Sequence, residues 1–171
     1  MEQNDMSRAF LGFLVLLFFT PVSQASSQSL NLGLLSVHLG QSIQQLESEA
    51  LTFGYSVELK PEAAIHVVYD SKGNNLGQLA APRGKVIQIL KFWSIPKPND
   101  YSSAIEVFYS AFLDAKVRGN DFASPNVRYV NVGGMKSSTI SFKSGNEVLM
   151  LSHGVQKGRT TYTVMELLPA E

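Results

Sequence analysis

Apolar positions recur in three different spacings along this chain, and each spacing predicts a different element. A dense run comes first: Ala9 to Phe19 reads AFLGFLVLLFF, without one charged side chain. Helical spacing follows twice. Ile43, Leu46, Ala50 and Phe53 recur at i, i+3, i+7 and i+10, and Ile105, Phe108, Tyr109 and Phe112 at i, i+3, i+4 and i+7. Each set describes one face of a helix. Alternation marks strands. Ile65, Val67 and Tyr69 share one face with His66 on the other, and Ile140 and Phe142 alternate with Thr139, Ser141 and Lys143. That is the pattern of a sheet with one covered and one wet face.

Local chemistry sets the boundaries. Ser42 and Gln45 form a capping box, and Gly54 supplies a left-handed C-terminal residue, so a helix is predicted over 42–53. Ser103 and Glu106 form a second box; Lys116 and Arg118 favour the negative end of that helix, and Gly119 closes it. The remaining pattern predicts an extended run over Leu30–Leu39, strands at 64–70, 76–80 and 85–94, a proline-stiffened connector Ile95–Asp100, and strands at 127–132, 138–143, 147–153 and 160–167. Glu58 and Glu62 fall in a loop around Pro61. Gly133-Gly134, Ser144-Gly145-Asn146 and Gly154–Gly158 read as hairpin turns. The expected fold is α+β, with two helices packed on one face of antiparallel sheet(s). It divides into two helix-plus-meander halves, 30–94 and 95–168, within one domain, 26–171. The halves share no residue-level repeat beyond cap and glycine.

The dense run changes the picture of where the protein works. Arg8 precedes it, and Ser23 and Ala25 stand at the −3 and −1 positions of a signal-peptidase site. It is roughly half the about 20 residues a spanning helix needs. Residues 1–25 are therefore expected to be a signal peptide cleaved after Ala25, and the product to be periplasmic or secreted. Translation from Met6 would remove Glu2 and Asp5 from the positive end of that signal. The chain has no cysteine, so neither a disulfide nor a lipid anchor on a thiol is available. No stable membrane anchor is expected after cleavage. The absence of an Asn-x-Ser/Thr sequon suits a bacterial periplasm. Beyond Ala25 the chain keeps thirteen basic and twelve acidic residues. So small a net charge gives no electrostatic argument for nucleic acid or an anionic membrane as partner.

Two segments carry a family likeness. Leu39-Gly40-Gln41-Ser42-Ile43-Gln44-Gln45-Leu46 and Lys85-Val86-Ile87-Gln88-Ile89 resemble the helix opening and a later strand of small exported bacterial proteins of the SmpA/OmlA type and the β-lactamase-inhibitory-protein-like superfamily. The likeness covers Leu30–Gly119 in outline. Gln41 stands where methionine often follows the glycine, and the lipid-bearing cysteine of the lipoproteins is absent. The resemblance implies a helix-on-sheet binding module without catalysis, and carries over no functional residue.

Candidate chemistry is sparse. His38, His66 and His153 are the three histidines, and none forms a helical i, i+4 metal pair. Were the strands of His66 and His153 to adjoin with Asp70 nearby, a two-histidine, one-carboxylate metal site would form; ordinary strand histidines are the simpler reading. Ser152 and His153 are neighbours in one strand, so their side chains point to opposite faces. Glu47 and Glu49 lie about 200° apart around their helix. The glycine pairs carry no phosphate-loop motif. No catalytic residue and no cofactor is therefore expected. Phe92, Trp93 and Tyr101, clustered around Pro96 and Pro98, have the composition of a recognition patch. The expectation is a non-catalytic exported module that binds a protein or a cell-envelope component. The alternatives are a small metal- or ligand-binding domain or hydrolase using His66, Asp70 and His153, and a structural subunit assembled through a sheet edge.

Overall fold

A computed structural model describes residues 28–132 and 135–169. The expected signal peptide and the Gly133-Gly134 turn lie outside the described residues.

The first apolar run is a hairpin rather than one extended segment. Strands β1 (Ser29–Leu32) and β2 (Leu35–His38) pair antiparallel as a separate two-stranded sheet. The reversal sits at Gly33, whose φ of 64° a β-carbon would oppose. Folding back lets Leu30, Leu32, Leu35 and Val37 all face inward.

Helix α1 (Ile43–Thr52) starts where the capping chemistry places it: Ser42 Oγ accepts from the Gln45 amide at 3.1 Å. The return half of the box is not made, because the Gln45 side-chain amide donates to Glu49 at 2.8 Å instead. The meander β3 (Ser56–Lys60), β4 (Ile65–Tyr69), β5 (Asn75–Ala80) and β6 (Gln88–Trp93) follows. Glu58 therefore lies in a strand, not in the expected loop; β3 pairs with β4 from Ser56–Tyr69 to Lys60–Ile65. Strand β6 is shorter than the 85–94 pattern suggests, since Lys85 bridges Ser42 beside the helix start.

Helix α2 (Tyr101–Val117) begins earlier than the Ser103 box predicts. Asp100 is the cap: its carboxylate accepts from the Ser102 amide at 3.0 Å. The buried face also differs. Ala104, Ala111 and Ala115 are fully buried, with Val107, Phe108 and Phe112 beside them, whereas Ile105 and Tyr109 are exposed. Small residues at the contact let the helix axis lie close to the sheet, and that displaces the larger side chains to the flanks.

Strands β7 (Asn126–Val132), β8 (Met135–Ser144), β9 (Glu147–Gln156) and β10 (Arg159–Pro169) complete the chain. Gly154 lies inside β9; the turn falls at Lys157 and Gly158, both with positive φ. The two meanders join last strand to last strand, through β6 and β10, into one sheet of order β3-β4-β5-β6-β10-β9-β8-β7. The register aligns Ile89 with Leu168, Lys91 with Glu166, and Trp93 with Val164. It continues this face through Leu149 and Leu151 to Phe142 and Ile140. Both helices pack on this one face, as the α+β reading expects. The hairpin and α1 cover one core around Leu32, Leu46, Leu79 and Ile89; α2 covers a second over Leu149, Leu151 and Val164. The hairpin approaches the sheet at Gly77, where a β-carbon would lie 2.9 Å from Leu32 Cδ2 and 2.5 Å from the Leu90 carbonyl oxygen. Only glycine allows that approach.

Candidate functional site

The sheet order separates the residues that a metal site would need. His66 is on β4 and His153 on β9, with β5, β6 and β10 between them. Four strand steps correspond to about 19 Å. Asp70 is engaged within its own turn, where it accepts from the Asn74 side chain and from the amides of Asn74 and Lys72, each at 2.8 Å. The bonds from Asn74, side chain first, hold its carboxyl below the ordinary carboxylate range. His153 stacks on Tyr162 with ring centroids 5.0 Å apart. Among the described residues no three His, Cys, Asp or Glu side chains gather around a metal-sized space.

The aromatic candidates also part company. Trp93 points to the helix-bearing face, where its indole N–H donates to Glu166 at 3.2 Å and Lys91 Nζ lies 3.7 Å from its ring centroid. Phe92, one residue earlier in the strand, points to the opposite face. Tyr101 is exposed in the first turn of α2 and meets Tyr162 edge-on at 5.8 Å.

What the sheet does bring together is a cluster of charges between the two cores. Lys91 of β6, Glu166 of β10 and Glu147 at the start of β9 share the covered face, and Arg118 reaches them from the C-cap of α2. Glu166 is completely buried and Glu147 is 7 % exposed. Arg118 uses its guanidinium as a fork: Nη1 donates to Glu147 Oε2 at 3.0 Å, and Nη2 donates to Glu166 Oε1. Lys91 Nζ lies 3.8 Å from Glu166 Oε2, and Asn120 donates to Glu147 at 2.9 Å. Asp114 flanks the guanidinium at 3.3 Å. Glu147 Oε1 is buried without a partner among the fixed donors. Burial, and then the neighbouring Glu166, push the Glu147 carboxyl up to about 7. After burial itself, the Glu166 side chain beside it is what most favours the protonated form of Glu147. A cleft of about 370 Å³ opens beside Arg118, Asn120, Asn146 and Glu147.

A second feature lies on the same face, beyond α2. Phe108 and Phe112 pack against Phe142 of β8 with centroids 5.7 and 6.0 Å apart. This turns the flank of α2 bearing Ile105 and Tyr109 toward the β7–β8 edge. There Val127 pairs with Ile140, and Tyr129 sits two residues along the same face. All five side chains are exposed: Tyr109 and Tyr129 are each 61 % exposed, Val127 68 %, and Ile105 and Ile140 37 %.

Sequence reasoning missed both features. For the first, Val164, Glu166 and Leu168 do alternate onto one face, but Met165 and Leu167 make the other face equally apolar, so the pattern alone does not mark Glu166 as buried. For the second, Ile105 and Tyr109 read as core because their spacing is helical. No described helix is long and apolar enough to cross a membrane. Comparison with family models, with curated proteins and with solved structures gives no match for this chain.

Proposed function

We propose that this protein is a non-catalytic exported binding module that recognises a protein or a cell-envelope component. The observation that carries this reading is the exposure of Ile105 and Tyr109 on one flank of α2 and of Val127, Tyr129 and Ile140 on the helix-bearing face of the β7–β8 edge. Exposed apolar side chains that include tyrosines are costly to leave in water and have the composition of an interface. The likeness of the 39–46 and 85–89 segments to SmpA/OmlA-type proteins points to the same class. A photo-crosslinking residue at Tyr129, introduced into cells that export the protein, is expected to give a discrete adduct. The double variant Tyr109→Ser, Tyr129→Ser should lose the partner while its unfolding free energy changes by only about 0.5 kcal/mol, because both rings are exposed. Adducts formed as readily from Leu34 in the β1–β2 turn as from Tyr129, or none at all, would sink the proposal.

The second reading, a structural subunit joined through a sheet edge, draws on β7. This terminal strand has seven residues, three of them valine, and one charge, Arg128. The opposite edge, β3, is five residues long and carries a Glu58–Lys60 ion pair at 2.8 Å. Short charged edges resist pairing; long apolar ones invite it. A sedimentation equilibrium profile that stays monomeric across concentration would remove this reading.

A further inference from the structure

The near-zero net charge is a sum, and the fold distributes it unevenly. From Asn126 to Pro169 the chain has five cations, Arg128, Lys136, Lys143, Lys157 and Arg159, and all five are exposed. Its two carboxylates, Glu147 and Glu166, are buried against α2. The accessible charge of the β7–β10 meander is therefore entirely positive.

Register assigns three of these cations to the face opposite the helices. Arg128 pairs with Thr139, Lys143 with Val148, and Arg159 with Gln156. Beside Arg128 runs a hydroxyl row, Thr139, Ser152 and Thr163, with the first two 2.8 Å apart. A concavity of about 660 Å³ lies alongside, lined by Gly154, Gln156, Lys157, Arg159 and Thr161. The adjoining part of the same face is apolar. Val148 leads to Leu167 and Leu90, and Met150 to Met165 and Phe92. These six are half-buried, and no described helix or hairpin packs over them. The one strand carboxylate on this face, Glu58, lies at the far edge and is already paired with Lys60.

Building on the binding-module reading, we infer that this open sheet face docks peripherally on an anionic lipid surface. Phosphate headgroups would meet Arg128, Lys143, Arg159 and the hydroxyl row, and the edge of the hydrocarbon layer would meet Leu90, Phe92, Met150 and Met165. Charge complementarity selects an anion, and the apolar half selects among anions. A soluble polyanion would use the cations and leave the phenylalanine, leucine and methionines in water. A lipid surface satisfies both halves at once.

The test is co-sedimentation of the full chain with vesicles of phosphatidylglycerol mixed into phosphatidylcholine, against phosphatidylcholine alone. Binding is expected to the anionic vesicles only, and to weaken as salt is raised. The triple variant Arg128→Gln, Lys143→Gln, Arg159→Gln should bind about 100-fold more weakly, from about fivefold for each basic residue at an anionic surface. Lys72→Gln, Lys85→Gln, Lys116→Gln changes the net charge equally at exposed positions elsewhere and should bind like the wild type. Equal losses in the two triple variants, or no vesicle binding, would overturn the inference. So would binding to heparin or polyglutamate without binding to vesicles, which would assign the face to a soluble polyanion. If vesicle binding fails while the Tyr129 adduct still forms, only the lipid assignment falls; if both fail, the binding-module reading falls with it.

Discussion

Replacing Arg118 with alanine is expected to destabilise the protein by about 3–5 kcal/mol, the range for removing one partner from a buried ionic group. The fork of Arg118 is the direct link between Glu147 and Glu166. Without it, Glu166 keeps Lys91 at 3.8 Å and the Trp93 indole, and Glu147 keeps Asn120. One ammonium and two neutral donors do not offset a buried carboxylate with a second carboxyl held beside it away from water. The loss is also mechanical, because Arg118 is the C-cap of α2 and ties the end of that helix to β9 and β10. Arg118→Lys should fall between wild type and alanine, since it restores the charge but cannot donate to both carboxylates in the fork geometry. Urea unfolding followed by the single tryptophan measures this directly, as Trp93 is part of the cluster. A cost for Arg118→Ala below about 1 kcal/mol, the scale of exposed ion pairs, would show that water already solvates the carboxylates.

How much of this is legible in the sequence depends on the range of the forces involved. Ser42 caps its helix as expected because the bond spans three residues and needs no tertiary help. The second cap is ambiguous from sequence because Asp100 and Ser103 both have the side chain for it, and the capping box favours Ser103. The proline connector decides between them: the Lys97 amide donates to Ser103 Oγ at 3.4 Å, leaving Asp100 to start the helix. The buried stripe of α2 misleads for a different reason. Alanine adds little to a hydrophobic pattern, so Ile105 and Tyr109 outweigh Ala104, Ala111 and Ala115 in it. A close-packed helix prefers the small residues against the sheet. Least legible is the joining of β6 to β10, which pairs Trp93 with Val164. No local signal fixes a contact between residues so far apart in sequence. The metal reading of His66 and His153 depends on adjacency that this sheet order denies. The charge cluster depends on adjacency that it creates. Glu166 stands in the run Met165–Leu168, apolar on both sides, where alternation does not reveal which face is covered.

The same cluster predicts that stability falls as the solution becomes less acid. Glu147 releases its proton near 4.5 in the unfolded chain and near 7 in the folded one. Between these values the folded state binds more protons than the unfolded state, so the unfolding free energy must decrease as pH rises. The stabilisation is complete below about 4.5 and is lost as pH passes through about 7. It amounts to about 3 kcal/mol over that window, at about 1.4 kcal/mol per unit. The groups that set it come from every element around the carboxyl: Glu166 on β10, Lys91 on β6, Arg118 and Asp114 at the end of α2, and Asn120 just beyond it. Paired Asp70 acts in the opposite sense, because its folded carboxyl is lowered. The comparison that isolates Glu147 is therefore Glu147→Gln, whose amide can donate toward Glu166 and accept from Arg118 at any pH. Denaturant titrations from about pH 4 to about pH 8 should show the wild type losing stability relative to this variant across the window, with the two curves converging in acid. Parallel curves would mean that Glu147 carries no extra proton in the folded state. The orphaned Oε1 would then need another donor, and the 370 Å³ cleft beside it is where that donor would have to enter.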